Sequence, residues 1–171
     1  MITIALRVLL WCIAAVAVVA EGTPSYAIDA SSWDGDARSA VRLIDGGSRP
    51  SDSDVHAGVE IKLSPGWKTY WRYPGDSGVP PRFDFAQSLN VKSVNVSWPA
   101  PDHFVDEGGQ SIGYKDHVIF PLRITPEDPA KPVTLRIALD YAVCERLCVP
   151  AKGEAELPLS GGASSLAPLV E

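Results

Sequence analysis

Apolar and polar residues alternate with a period of two along most of the chain. Val55, Ala57, Val59, Ile61 and Leu63 are interleaved with His56, Gly58, Glu60 and Lys62, the pattern of a strand with one buried face. Val94, Val96 and Trp98 alternate with Asn95 and Ser97, and Val118, Phe120, Leu122 and Ile124 form a third row. Leu135, Ile137, Leu139, Tyr141 and Val143 form the clearest row of all. Shorter strands are predicted over residues 40–44, 67–73, 82–85 and 154–159. Turn chemistry separates them at Pro65-Gly66, Pro74-Gly75, Pro80-Pro81, Gly108-Gly109 and across residues 126–132, where Gly and Pro punctuate the chain. Seven to nine short strands without a helical period predict an all-β fold, an immunoglobulin-like antiparallel β-sandwich, with a closed barrel as the alternative. The shared parity within each row puts Val59, Ile61, Val96, Trp98, Phe120, Leu122, Ile137 and Leu139 inside. Residues 28–37 and 46–53 are Ser/Asp/Gly-rich and read as loose. The stretch from Ser160 to 171 has a linker's composition, and its Leu166, Leu169 and Val170 read as the start of an unfinished element.

The N-terminus changes the picture of compartment. Arg7 precedes an apolar run from Val8 to Ala20, short for a bilayer span but suited to a signal-peptide core. Ser25-Tyr26-Ala27 supplies a small-x-small site for cleavage after Ala27, with Ala20 the weaker alternative and a retained anchor the competing reading. On this expectation residues 1–27 are a signal peptide and residues 28–159 one exported domain, placed in the periplasm. Cys12 would leave with the peptide, so the mature chain would keep Cys144 and Cys148 in an oxidising compartment. A formal charge of −6 with a pI near 5.0 argues against nucleic acid, which wants basic patches. No Lys/Arg run suggests an anionic membrane surface.

The chemistry then concentrates on Tyr141-Ala142-Val143-Cys144-Glu145-Arg146-Leu147-Cys148-Val149-Pro150. Cys144 falls on the face opposite Leu139, Tyr141 and Val143, with Arg136 and Asp140, and so points away from the main core. A loop of residues 145–147 would set Cys148 across a hairpin from it, at a cross-strand separation that a disulfide can bridge. Three readings remain open: a thiol–disulfide exchange site, an inert staple, or part of a metal site. So small a ring gives a staple only ~2 kcal/mol by loop entropy. A metal site lacks further ligands, because His56, His103 and His117 are scattered and Met1 is the single methionine. No cofactor motif is present. Arg146 would favour a thiolate and Glu145 oppose it.

Several linked motifs carry a resemblance. Gly66-Trp67-Lys68-Thr69-Tyr70-Trp71-Arg72, Pro74-Gly75-Asp76-Ser77-Gly78, Trp98-Pro99-Ala100-Pro101, Gly113-Tyr114 with Pro121-Leu122, and the Tyr141–Pro150 segment resemble the N-terminal periplasmic domain of DsbD-type thiol:disulfide interchange proteins, in the ScsB-like branch. The match runs from about Ala40 to Leu159. The resemblance implies an immunoglobulin-like sandwich that takes electrons from a membrane-embedded donor and passes them to periplasmic thioredoxin-like or disulfide isomerase partners. It implies that Cys148 makes the mixed disulfide and Cys144 resolves it. Asp106 and Glu107 correspond by position to the family's acidic site neighbours; Tyr141 and Arg146 are further candidate neighbours. Two features depart from that family. The cysteines here are closer in sequence, and the segment Asp106-Glu107-Gly108-Gly109-Gln110 lacks the aromatic residue of the family's cap loop. Phe104 or Tyr114 would have to shield the pair, or both cysteines would be open to solvent. With neither a transmembrane nor a thioredoxin-like domain in the sequence, the electron donor would be a separate protein or the chain a fragment of a longer one.

Other motifs have plainer readings. Trp67, Tyr70 and Trp71 read as strand packing more than as a binding surface. Asp102, Asp106 and Glu107 near His103 read as a solvated acidic loop, and Arg72 with Asp76 as a pair across a turn. The rival to thiol exchange is an immunoglobulin-like interaction module with a stapled hairpin.

Overall fold

The alternating rows pack as two antiparallel sheets. The structure, a computed structural model, describes residues 28–48, 53–106 and 109–170; the leader reading, Cys12 and Glu107 lie outside them. The strands in chain order are β1 (Asp34–Gly35), β2 (Ser39–Ser48), β3 (Val55–Leu63), β4 (Lys68–Gly75), β5 (Arg82–Asp84), β6 (Val91–Val96), β7 (Asp102–Asp106), β8 (Gly109–Lys115), β9 (His117–Pro126), β10 (Val133–Cys144) and β11 (Cys148–Leu159). One sheet runs β1-β2-β3-β9-β6 and the other β11-β10-β4-β8-β7, with β5 also paired to β10. This is the predicted immunoglobulin-like sandwich.

The core lies between the sheets, where the period-two rows meet. Val59, Ile61, Phe120, Leu122, Ile137 and Leu139 are buried there, and Val96 and Trp98 pack half-buried against them. The strands β7 and β8 were not visible in the sequence. In β8 the buried positions are Ser111, Gly113 and Tyr114, so two of the inward places carry no apolar residue and the alternation disappears. The segment 102–106, read as an acidic loop, is an edge strand paired to β8 in continuous register.

Residues 28–37 are tied down rather than loose. Ala30 bridges Ile44, Ser31 N–H donates to Leu43 C=O at 2.9 Å, and β1 pairs with β2. The Ser160 tail, linker-like in composition, also folds back. Buried Asp45 accepts hydrogen bonds from Gly47 N–H at 2.8 Å and from Ser160 N–H and O–H at 2.9 and 2.8 Å. Val170 is buried over Gly46 and Gly58, where a β-carbon would come within 2.3 and 2.7 Å of its methyl groups. Asp45→Ala should therefore cost about 1–3 kcal/mol, the range for stranding buried hydrogen-bond partners. It should also make residues 160–170 cleavable in limited proteolysis under conditions where the parent tail resists; equal resistance would show that Asp45 does not anchor the tail.

Candidate functional site at the cysteine hairpin

Strands β10 and β11 pair without a break from Val133↔Leu159 up to Cys144↔Cys148. Residues 145–147 close the hairpin, so the two cysteines face each other as register partners. Their Cα atoms are 4.1 Å apart and their sulfurs form a disulfide. Because β10 turns Leu139, Tyr141 and Val143 into the core, Ala142 and Cys144 point out of the opposite face of the sheet.

That face is not bare. Strand β4 joins β10 at Lys68↔Cys144, and two residues further on Tyr70 emerges on the same side. With Ala142 and Cys144, Tyr70 forms a small buried cluster separate from the main core. The Tyr70 hydroxyl lies 2.8 Å from Cys144 Sγ and 3.1 Å from Cys148 Sγ. Thr69, between Lys68 and Tyr70, faces the other way and donates its hydroxyl to Ala142 C=O at 2.9 Å, which fixes β4 against β10. Gly113 of β8 pairs with Tyr70, and a β-carbon there would sit 2.0 Å from Thr69 O; only glycine lets the strands approach so closely. Gly78 lies directly on the Tyr70 ring, with φ of +106° and space for a β-carbon only 2.3 Å from the ring. Lys68 continues the wall of the site, its Nζ 3.1 Å from Ser111 Oγ and 5.3 Å from the Phe104 ring centre.

The result is a pair with two unlike members. Cys144 is 2% exposed while Cys148 is exposed to solvent. An aromatic does shield one member of the pair, but it is Tyr70, not Phe104 or Tyr114: Tyr70 covers Cys144 from one side and leaves Cys148 open. Tyr70 does pack, as its place in an aromatic strand predicts, but onto the sulfurs. No spacing in the sequence reveals this, because it depends on which strand β4 pairs with. Tyr114 is no cap: its hydroxyl donates to Pro99 C=O at 3.0 Å and its ring stacks edge-on to Phe120. Burial pushes the Tyr114 phenol well above its usual range.

The other candidate neighbours divide. Tyr141 is not brought to the pair; it lies on the core face with its hydroxyl 2.7 Å from Ser39 Oγ, and burial raises its phenol. Arg146 is exposed in the hairpin loop. Glu145 leans toward the Gly66 turn, where a β-carbon would be 3.2 Å from its carboxylate. Asp106 ends β7 opposite Gly109. Arg72 lies over the Trp71 and Tyr73 rings, while Asp76 accepts the Gln110 N–H at 3.0 Å. Among the described residues no three His, Cys, Asp or Glu side chains cluster as metal ligands. An open groove of about 520 Å³ between Asp84, Arg136 and Glu156 lies further down the hairpin and holds no nucleophile.

Unequal burial has a direct consequence for labelling. In the reduced protein a bulky maleimide should modify Cys148 rapidly and Cys144 at least ~10-fold more slowly, since a buried thiol reacts only through local opening. Mass spectrometry of the two single Cys→Ser variants measures both rates. Equal rates in native buffer would contradict the covering by Tyr70.

A disulfide at the tip of a hairpin, one sulfur reachable and one covered, on an immunoglobulin-like sandwich, defines a class of small domains carrying a cysteine pair outside their core. Residues 41–160 match the family described as thiol:disulfide interchange protein DsbD, N-terminal, and the chain belongs to that family. Its structure is similar to the crystal structure of the N-terminal periplasmic domain of ScsB from Proteus mirabilis, with 28% sequence identity and a TM-score of 0.66. The similarity covers 81% of this chain and 54% of that one, so this chain spans about half the length of that neighbour. None of the curated proteins matches it. Thiol–disulfide exchange is the chemistry of the family, and the Cys144–Cys148 disulfide is the group of this chain that fits it.

Proposed function

We propose that this chain is a periplasmic exchange domain that passes electrons to the disulfides of partner proteins through Cys144 and Cys148. The observation that carries the reading is the asymmetry of the pair, exposed Cys148 against buried Cys144. Exchange requires one sulfur that a partner can reach in line and a second held close for the return step. In the reduced domain the Cys148 thiolate attacks one sulfur of a partner disulfide, and the other partner sulfur leaves as a thiolate. Cys144 then attacks Cys148 Sγ, releasing the partner's second sulfur as a thiolate. The domain ends oxidised, the partner ends as a dithiol, and two electrons and two protons have moved.

Leu147, 80% exposed beside Cys148, offers the apolar contact that a thioredoxin-like or disulfide isomerase partner would cover. The periplasmic description of the ScsB domain and the leader-like residues 1–27 both support export. Rereduction would come from a membrane-embedded donor, whether in the same protein or a separate one. The experiment is equilibration of the pair in defined thiol/disulfide mixtures. An exchange pair should titrate well above about −300 mV, whereas a potential below that is typical of structural disulfides and would favour the stapled interaction module.

A further inference from the structure

We propose that Tyr70 is a catalytic residue of this site, the hydrogen-bond donor that holds Cys144 as a thiolate while Cys148 is engaged in a mixed disulfide. The inference deepens the exchange reading and rests on it, and its own support is geometric. The Tyr70 hydroxyl is within hydrogen-bond distance of both sulfurs, closer to Cys144. Tyr70 is 1% and Cys144 2% exposed, so water has little access to the sulfur that must carry the charge. Burial without a donor disfavours a thiolate, and a donor aimed at it restores it.

The hydroxyl is also held in place. Gly78 lies against the ring face so closely that no β-carbon fits, and Ala142 packs in the same cluster. The donor therefore needs no reorganisation when charge develops on the sulfur, the condition under which such groups act most strongly. One hydrogen bond serves both directions of the cycle. When a donor thiolate attacks Cys148 Sγ, the Cys144–Cys148 bond breaks and its electron pair leaves on Cys144 Sγ, against the Tyr70 O–H. When the oxidised state re-forms, that same thiolate attacks Cys148 Sγ and expels the partner sulfur, which takes its proton from water.

Among the described residues, the charged positions on the elements that flank the pair are Lys68 on β4, Glu145 and Arg146 in the hairpin loop, Lys115 of β8 opposite Lys68, and Asp76 and Asp102 on the neighbouring turn and edge strand. Tyr70→Phe changes none of them and keeps the ring, so a comparison with the parent isolates the hydroxyl.

The test uses an aromatic disulfide reagent that releases a coloured thiolate. Attack by Cys148 releases the first equivalent and resolution by Cys144 the second, so the two steps separate in stopped flow without any protein partner. For Tyr70→Phe the second phase should be roughly tenfold slower or more near pH 7, in line with losing a hydrogen bond to a charged group. The pH at which it reaches half its limiting rate should rise by about one unit, because the thiolate then forms only at higher pH. The two proteins should converge at high pH. Superimposable pH profiles, or a slowing by one factor at every pH, would overturn the role of the hydroxyl. Failure of protein partners to exchange would be seen separately by gel and would leave this intramolecular step intact.

Discussion

Reduced Cys144→Ser protein, mixed with an oxidised thioredoxin-like protein, is expected to accumulate a covalent one-to-one complex, while Cys148→Ser accumulates little. The argument runs from exposure to chemistry. Cys148 opens β11 and is exposed, with Val149-Pro150 behind it; Pro150 restrains Val149 to an extended shape and so fixes the angle at which Cys148 leaves the loop. Without Cys144 its attack on a partner disulfide still proceeds, but the mixed disulfide has no neighbouring thiolate to resolve it. Cys144 alone lies under Tyr70, out of line for an incoming protein. On non-reducing gels Cys144→Ser should carry most of its protein in the trapped band and Cys148→Ser a small fraction. The reverse pattern would exchange the two roles, and no band from either variant would favour the staple.

What the sequence showed of this molecule depends on whether a position's environment is local. Val55–Leu63 and the row from Leu135 to Val143 declare their buried face because each strand is amphipathic on its own. The face of Cys144 was legible for the same reason: parity along β10 places it opposite Val143. Strand β8 was hidden because Ser111 and Gly113 fill buried places where close backbone approach leaves little room for larger side chains. Tyr70 was hidden for a different reason. Nothing near residue 70 reports that Lys68 pairs with Cys144, yet that single register contact carries the hydroxyl to the sulfurs. The place of the tail likewise depends on Asp45, more than a hundred residues earlier. Local pattern thus located the cysteine pair and its orientation, while the groups that would tune it come from long-range pairing.

The largest stability effect is expected at Phe120. This ring, fully buried in β9, meets Phe83 and Trp98 at 5.1 Å and Tyr114 at 5.4 Å, each near edge-to-face. Phe83 and Tyr114 belong to the sheet opposite β9, so Phe120 is the point where the two layers hold each other. Phe120→Ala removes the transfer energy of the ring and leaves a cavity walled by other rigid rings, which collapse poorly; the cost should be about 3–5 kcal/mol. Each lost edge-to-face pair adds to this in the direction of instability. Against a total stability of roughly 5–15 kcal/mol that is a large share, and the melting temperature should fall by about 10 °C or more. Phe120→Leu, which keeps more of the volume, should fall much less. The cysteine site provides the internal control. Phe120 lies in the sheet away from β10 and β11, so at low temperature the folded variant should still label at Cys148 with the parent's rate. A melting point for Phe120→Ala within about 2 °C of the parent would remove Phe120 from the centre of the core, and slowed Cys148 labelling in the folded variant would show that core and site are coupled.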